Sequence, residues 1–449
     1  MNKPFLRVLS LEEAQGLLHR FFPLDSEQVS GDDALFRVLA APIKAQEDVP
    51  GFDRSTMDGF AVRSVDTFGA TESMPGLFTI CGEIRMGELG DASLRKGQAL
   101  RIWTGGALPK NADAVVMVEH TQQLDDTTLE VLKAVAPFDN VVRRGEDFQA
   151  GETLLQPGHR LRPQDLGLLA AMGQTAITAY RRPRVGIVSS GDEIVAVEET
   201  PPPGCMRDVN RHALMAAAKE AHADSVWLGL VPDRLKDISE VIARGLREAD
   251  MVVISGGSSM GSRDLVIEAI QSSPDAEILL HGVSVSPGKP LILASIGSKP
   301  VVGLPGHPVS ALVCFENFVV PLIRRLEGEG VTSPFLRPSV QALLSRNVPS
   351  REGRLDFVRV RLQGKGDELL AVPVPGKSGM ISAMVRSHGC IRIEAGCEGL
   401  YKGDEVTVHL FSSWMEDSLE KKHIPRHEAA CRGPAPLFGP SPQEKLSRA

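Results

Sequence analysis

Long hydrophobic runs, paired cysteines and an excess of positive charge are all missing from this 449-residue sequence. Each absence removes a class of function. No apolar run reaches the roughly 18 residues that span a bilayer. The longest candidate, Val309 to Ile323, is broken by Glu316, Asn317 and Pro321, so no membrane partner is expected. The start, Met1-Asn2-Lys3-Pro4-Phe5-Leu6-Arg7, leads into an amphipathic stretch rather than the apolar core of a signal peptide. The six cysteines form no C-x-x-C pair, which speaks against a zinc knuckle or a thioredoxin-like redox site. Their scatter fits a reducing cytoplasm. A net charge of -8 argues against a nucleic-acid partner gripped by a broad basic face.

What is present reads as several domains, about three by length alone. Ser10-Leu11-Glu12-Glu13 is a capping box, predicting a helix to about Phe21. Residues 31–48 read as a second helix with an extended exit. From Phe60 to about Val135, short alternating apolar runs are separated by Gly and Asp, the texture of a small β-rich domain. If that domain is an insertion, 5–50 and 138–180 form one split N-terminal domain around 51–137. Residues 181–328 alternate strands with helices, the signature of a doubly wound parallel sheet. Strands return at 340–344, 357–362, 369–374 and 405–410, giving a C-terminal β domain over 333–411. The polar, Pro-rich 412–449 stretch reads as a disordered tail. The expected fold class is therefore multidomain α/β: a doubly wound sheet domain, a split helical N-terminal domain with an inserted β domain, and a barrel-like C-terminal domain.

Four Gly-rich stretches carry the chemistry. They are Ser189-Ser190-Gly191-Asp192-Glu193, the Ser255-Gly256-Gly257-Ser258 to Asp264 loop, Pro287-Gly288-Lys289-Pro290, and Gly303-Leu304-Pro305-Gly306-His307-Pro308. Three directly follow an apolar run that reads as a buried strand. Loops at the carboxyl ends of parallel strands meet in one crevice, where ligands bind. Backbone N–H groups there, with carboxylates and a lysine, suit a phosphorylated anion and a hard cation. Each stretch alone has a plainer reading. Asp192 and Asp264 are good helix caps, Lys289 is a good solvated turn residue, and Asp233 in Val231-Pro232-Asp233 is a good N-cap. Asp58, Arg143, Arg144 and Asp147 sit in other Gly-containing loops and are equally ordinary one at a time.

Together the motifs resemble the molybdopterin molybdenumtransferase family, the bacterial MoeA type related to the C-terminal part of gephyrin. The resemblance rests on Met57-Asp58-Gly59-Phe60-Ala61-Val62, Thr104-Gly105-Gly106-Ala107-Leu108-Pro109, Arg144-Gly145-Glu146-Asp147 and the four stretches above, in order from about residue 5 to 411. It implies an enzyme of molybdenum cofactor assembly. Adenylylated molybdopterin is bound, AMP is released, and molybdenum from molybdate enters the dithiolene, with magnesium or a similar cation. It also implies a homodimer supplied by a separate molybdopterin adenylyltransferase. The implied catalytic set is Asp58, Thr104, Asp147, Glu193, Asp233, Asp264 and Lys289. Arg143, Arg144, Ser190, Gly191, Asp192, Ser255, Gly256, Gly257, Ser258, Pro305 and Gly306 would bind the substrate, and Glu193 and Asp264 the cation. The dithiolene sulfurs arrive with the substrate, so no protein cysteine is needed as a metal ligand.

Four positions depart from the family pattern: Arg234, Ser262, Ser286 and His307. Two of them remove a carboxylate near the implied cation, and one removes a positive charge near the implied anion. Two other readings remain open on sequence alone. One is the adenylyltransferase step or a related nucleotide pyrophosphatase. The other is a pterin-binding scaffold without turnover.

Overall fold

The computed structural model describes residues 8–88, 92–256, 260–330, 337–365 and 368–411, with backbone only for 260–264 and 365. Gly257, Ser258 and the tail from 412 lie outside the described residues, as do the side chains of Ser262 and Asp264.

At the centre is a six-stranded sheet in the order Asp224–Val231, Arg184–Ser190, Met251–Gly256, Lys299–Leu304, Ile292–Ile296, Ala276–His281. The first four strands are parallel. Ile292–Ile296 runs antiparallel to both of its neighbours and joins Lys299–Leu304 through a two-residue turn at Gly297-Ser298 where Gly297 takes φ 59°, a hairpin geometry that suits glycine. Alternate residues of each strand feed opposite faces. Val185, Ile187 and Val253 pack with Leu214, Ala218 and Phe315 on one side. Val188, Val252 and Ile254 pack with Ile238, Val241 and Val266 on the other. Helices Val209–Glu220 and Pro308–Cys314 thus cover one face, and Leu235–Glu248 and Met260–Gln271 the other. Each such buried aliphatic side chain contributes about 1.5–3 kcal/mol.

The N-terminal domain is split. Ser26–Ser30 pairs with Ala176–Tyr180, Ile43–Lys44 with Thr153–Leu155, and Arg54–Ser55 with Val141–Val142. Between them runs a separate six-stranded sheet, from Gly59–Val62 to Thr128–Val131 in sequence. The capping box forms as expected, Ser10 N donating to Glu13 Oε2 at 2.9 Å and Glu13 N to Ser10 Oγ at 3.1 Å. The helix expected over 31–48 does not form. A single 3₁₀ turn, Gly31–Asp33, is followed by Phe36 at φ 61° and an extended segment. Its amides bond to other segments instead, Phe36 N to Leu161 O, Leu39 N to His159 O and Ala40 N to Thr178 O. Ala34 and Leu39 are buried against Leu161, Leu169 and Ile177 of that second half of the domain instead.

In the C-terminal domain, Leu355–Lys365, Glu368–Pro373, Ser339–Leu344, Glu405–Leu410 and Gly389–Ile393 pair in turn, and the last pairs back to the first. The sheet therefore closes into a barrel. It is stitched to the central domain by Val285–Ser286, which pairs with Leu355 and Asp356.

Where the split domain meets the central one, Phe36 stacks on His222 with centroids 4.5 Å apart. Arg160 Nη2 donates to Glu327 at 2.6 Å and Glu329 at 2.9 Å. Burial, then the charges of Arg160 and Arg182, pull the His222 pKa down to about 4. Folded His222 is neutral where the unfolded chain, near 6.5, takes up a proton. Stability is therefore present above about pH 6.5 and lost as the pH falls towards 4. The expected loss is on the order of 1 kcal/mol, discounted for partial exposure. Melting temperatures of the wild type and His222→Phe between pH 7 and 4.5 check it. The variant should show the shallower acid slope, whatever its absolute stability.

Candidate active site

The carboxyl ends of two neighbouring strands almost touch. Ser189 lies in register with Ser255, and Ser190 with Gly256. Gly256 has φ 149°, and a Cβ there would lie 2.0 Å from the Ser190 carbonyl oxygen. The approach holds Ser189, Ser190 and Ser255 buried at the rim. Ser190 Oγ donates to Asp233 Oδ1, and Asp233 N to Asp192 Oδ1 at 3.2 Å. Asp233 is not the helix cap it resembles: Arg234 occupies that position, without a side-chain bond. Asp192 and Glu193 are exposed beside it.

Asn210 joins this group without having been expected. Its Nδ2 donates to Ser255 Oγ at 2.6 Å and Gly306 O at 2.8 Å, tying two of the Gly-rich loops together. Asp208 caps the same helix by accepting from Arg211 N at 3.0 Å. Among the described residues, Ser189 Oγ, Asp208 Oδ2 and Asn210 Oδ1 are buried with no partner. Buried polar atoms are normally satisfied, so three in one place leave hydrogen-bonding capacity unspent. The sequence signal for the pair was Asp208 standing just before the helical repeat.

A cleft of about 990 Å³ opens between the Pro287-Gly288-Lys289-Pro290 loop and the barrel. Gly288 fixes the loop. It has φ 128°, its added Cβ would lie 2.7 Å from Cys314 Sγ, and its carbonyl accepts from that thiol at 3.3 Å. Lys289 is thereby presented exposed. Pro305 and His307 line the same cleft. His307 Nδ1 bonds Ser378 Oγ at 2.9 Å, and Val309 N donates to Ser378 O. From the barrel come Arg351, Arg354 and Arg359. Arg354 pairs with Asp356 at 2.9 Å. Arg359 is only 9% exposed, its Nη2 donates to Gly376 O at 2.7 Å, and its Nε has no partner. Among the described residues it has no carboxylate within ion-pair reach. Four cations thus line the cleft against two carboxylates, Glu352 and Asp356. A smaller pocket of about 400 Å³ lies elsewhere, lined by Ala217, Leu312, Phe315 and Arg337 among others.

The remaining expected residues form a second group. Thr104 N and Oγ1 both donate to Asp58 Oδ1 at 2.8 Å. The backbone bond, then the hydroxyl bond, hold the Asp58 pKa below the usual carboxylate value. Arg144 N donates to Asp53 Oδ1 at 2.7 Å, and its Nε to Asp48 Oδ2 at 2.8 Å. Arg143 lies over the Phe138 ring at 5.2 Å, and Asp147 is exposed next door. Among the described residues, no hydrogen bond or ion pair ties this group to the strand ends or to Lys289.

Residues 9–173 match the MoeA N-terminal region (domain I and II), 186–325 a probable molybdopterin binding domain, and 341–411 the MoeA C-terminal region (domain IV). The molybdopterin molybdenumtransferase of Bacillus subtilis is 34% identical over 391 residues, 86% of this chain and 90% of that one.

The chain belongs to the MoeA family.

It is an enzyme of molybdenum cofactor biosynthesis. A putative molybdopterin biosynthesis protein of Methanocaldococcus jannaschii is 36% identical, covering 84% of this chain and 90% of its own. The solved molybdopterin biosynthesis MoeA protein of Pyrococcus horikoshii superposes with a TM-score of 0.77 at 30% identity, covering 90% of this chain and all of that one.

The implied cation passes a test of fit. Among the described residues no three His, Cys, Asp or Glu side chains gather as a closed site. Magnesium needs none, since it keeps several waters and takes one or two carboxylates plus substrate phosphate oxygens. Exposed Asp192 and Glu193 are ligands of that kind.

Proposed function

We propose that this protein releases AMP from adenylylated molybdopterin and transfers molybdenum from molybdate to the dithiolene. The observation that carries the reading is the basic cleft beside the strand ends, with Lys289 at its lip and Arg359 buried without a counter-ion among the described residues. Molybdate takes the cleft, because a tetrahedral dianion is what those cations lack. The substrate phosphates take the Ser190 and Ser255 strand ends and the Asn210 helix start. Glu193, with Asp192 or Asp264, would hold magnesium, which supplies charge neutralisation at the phosphate oxygens. Asp233 holds the Ser190 hydroxyl in one orientation, and Lys289 neutralises charge as AMP leaves.

Asp58, Thr104, Arg143, Arg144 and Asp147 complete the site from a second copy in a homodimer. What supports this is that hydrogen bonds fix their own loops around Asp58 and Arg144, yet among the described residues none reaches the strand ends. A molybdopterin adenylyltransferase is the source of substrate that this chemistry requires, and the cytoplasm is its setting.

AMP release from adenylylated molybdopterin, with and without molybdate and magnesium, is the direct assay, and release should need both additions. Asp58→Asn and Lys289→Met should each lower the rate about tenfold or more. Co-refolded in equal amounts, the two variants should recover about a quarter of wild-type activity, because random pairing gives half heterodimers with one intact site each. A mixture no better than its parts would place both groups in one subunit's site.

A further inference from the structure

Trp103 is one of three tryptophans in a chain with 5% aromatic residues, and it stands beside the Asp58–Thr104 pair. Trp103-Thr104-Gly105-Gly106 is a tight turn. Gly106 N donates to Trp103 O at 2.8 Å, and Gly105 takes φ 85°, the conformation a type II turn requires at its third position. The indole and the Thr104 donors that hold Asp58 are thus fixed on one four-residue frame. The ring is also fixed from the side. Its Nε1 donates to Glu83 Oε1 at 2.6 Å, Glu83 lying in register with Arg101 on the neighbouring strand. Arg101 places its guanidinium 4.9 Å from the ring centroid, and the same charge helps keep Asp58 ionised. The indole remains half-buried rather than enclosed. A large aromatic locked at its backbone, its N–H and one face, yet still open to solvent, is built to receive a flat partner.

We propose that Trp103 is the stacking platform for a fused heteroaromatic ring of the substrate, a purine or a pterin. The assignment rests on the function proposed above, whose substrate carries both ring systems. In it, Trp103 is a positioning residue that sets substrate affinity, while Asp58 and Thr104 act on the polar part of the same molecule.

The double variant Trp227→Phe/Trp414→Phe leaves Trp103 as the sole tryptophan of the 449-residue chain. Its emission should be quenched saturably by AMP or by a free pterin, and not by molybdate. Whichever of the two quenches identifies the ring. In the wild-type background, Trp103→Ala should raise the KM for adenylylated molybdopterin about tenfold, the size of a lost base–aromatic stack, at little change in kcat. Trp103→Phe should restore most of it. If neither ligand quenches while the wild type still releases AMP, the platform is overturned and the function stands. A Trp103→Ala that lowers kcat and melting temperature together, with KM unchanged and no rescue by Phe, also overturns it. If the wild type releases no AMP but AMP or pterin quenches Trp103, the platform stands and the catalytic reading fails.

Discussion

Gly256→Ala is expected to abolish AMP release, by about a thousandfold, and to lower the melting temperature by roughly 10 °C. The added Cβ would meet Ser190 O at 2.0 Å, its carbonyl carbon at 2.8 Å and its amide nitrogen at 3.0 Å. All three are backbone atoms of a central strand, so no flexible side chain can give way. The backbone at φ 149° is also one that only glycine adopts easily. The two strand ends must part by an ångström or more. That removes the Ser190–Asp233 bond and carries Ser255 away from Asn210. Strain and lost packing together cost about 3–4 kcal/mol. Gly167→Ala is the matched control. Gly167 is exposed in the helix Pro163–Ala171, and a Cβ there meets nothing within 4 Å. Helix propensity then favours alanine by about 0.5–1 kcal/mol. Thermal melts and AMP release on both variants check the pair. A Gly256→Ala protein with normal activity would mean that the strand ends do not need their close approach.

The same contact explains how much of the site was legible in the sequence. Val185–Val188 and Met251–Ile254 announce buried strands by composition, and the Ser/Gly stretch after each, Ser189-Ser190-Gly191 and Ser255-Gly256, announces a loop with little side chain in the way. Local pattern suffices there, because neighbouring parallel strands bring their own ends together. It fails where the partner is remote. Arg359 sits in an alternating strand and reads as a solvated charge. It becomes a cleft residue only because Val285–Ser286 pairs with Leu355–Asp356 and folds the barrel over Lys289. The same long-range packing turned the helix-like spacing at 31–48 into extended chain. It also gives His307 a role that its departure from the family pattern did not suggest: the imidazole holds Ser378, and with it the barrel loop, against the start of helix Pro308–Cys314. Arg234, another departure, stands at a helix start where its side chain caps nothing, while the neighbouring Asp233 is engaged by Ser190.

Arg359→Met is expected to separate stability from function with opposite signs. By its own protein contacts the guanidinium is a poor tenant of its site. It is 9% exposed, has one carbonyl partner, leaves Nε unsatisfied, and faces no carboxylate among the described residues. Burial lowers its pKa, but an arginine does not shed its proton in a protein, so the cost stays in the folded state. Replacing an uncompensated buried charge with an apolar side chain of similar length should stabilise by about 1–2 kcal/mol. The same change deletes the one cation that Gly376 and the barrel hold in fixed orientation towards the cleft. Half-maximal molybdate for AMP release should rise about a hundredfold, the value of a charge-assisted bond to an oxyanion plus the loss of its bidentate geometry. Molybdate at a hundred times its dissociation constant should stabilise the wild type by about 2.7 kcal/mol and leave the variant's melting temperature almost unmoved. Arg361→Met, two residues along the strand and exposed, should change neither quantity. If Arg359→Met is less stable than the wild type and keeps its molybdate dependence, the guanidinium is a structural strut and the oxyanion sits elsewhere. A variant that melts higher yet no longer responds to molybdate would mean that the fold carries a buried positive charge at its own expense, to be offset only when the dianion arrives.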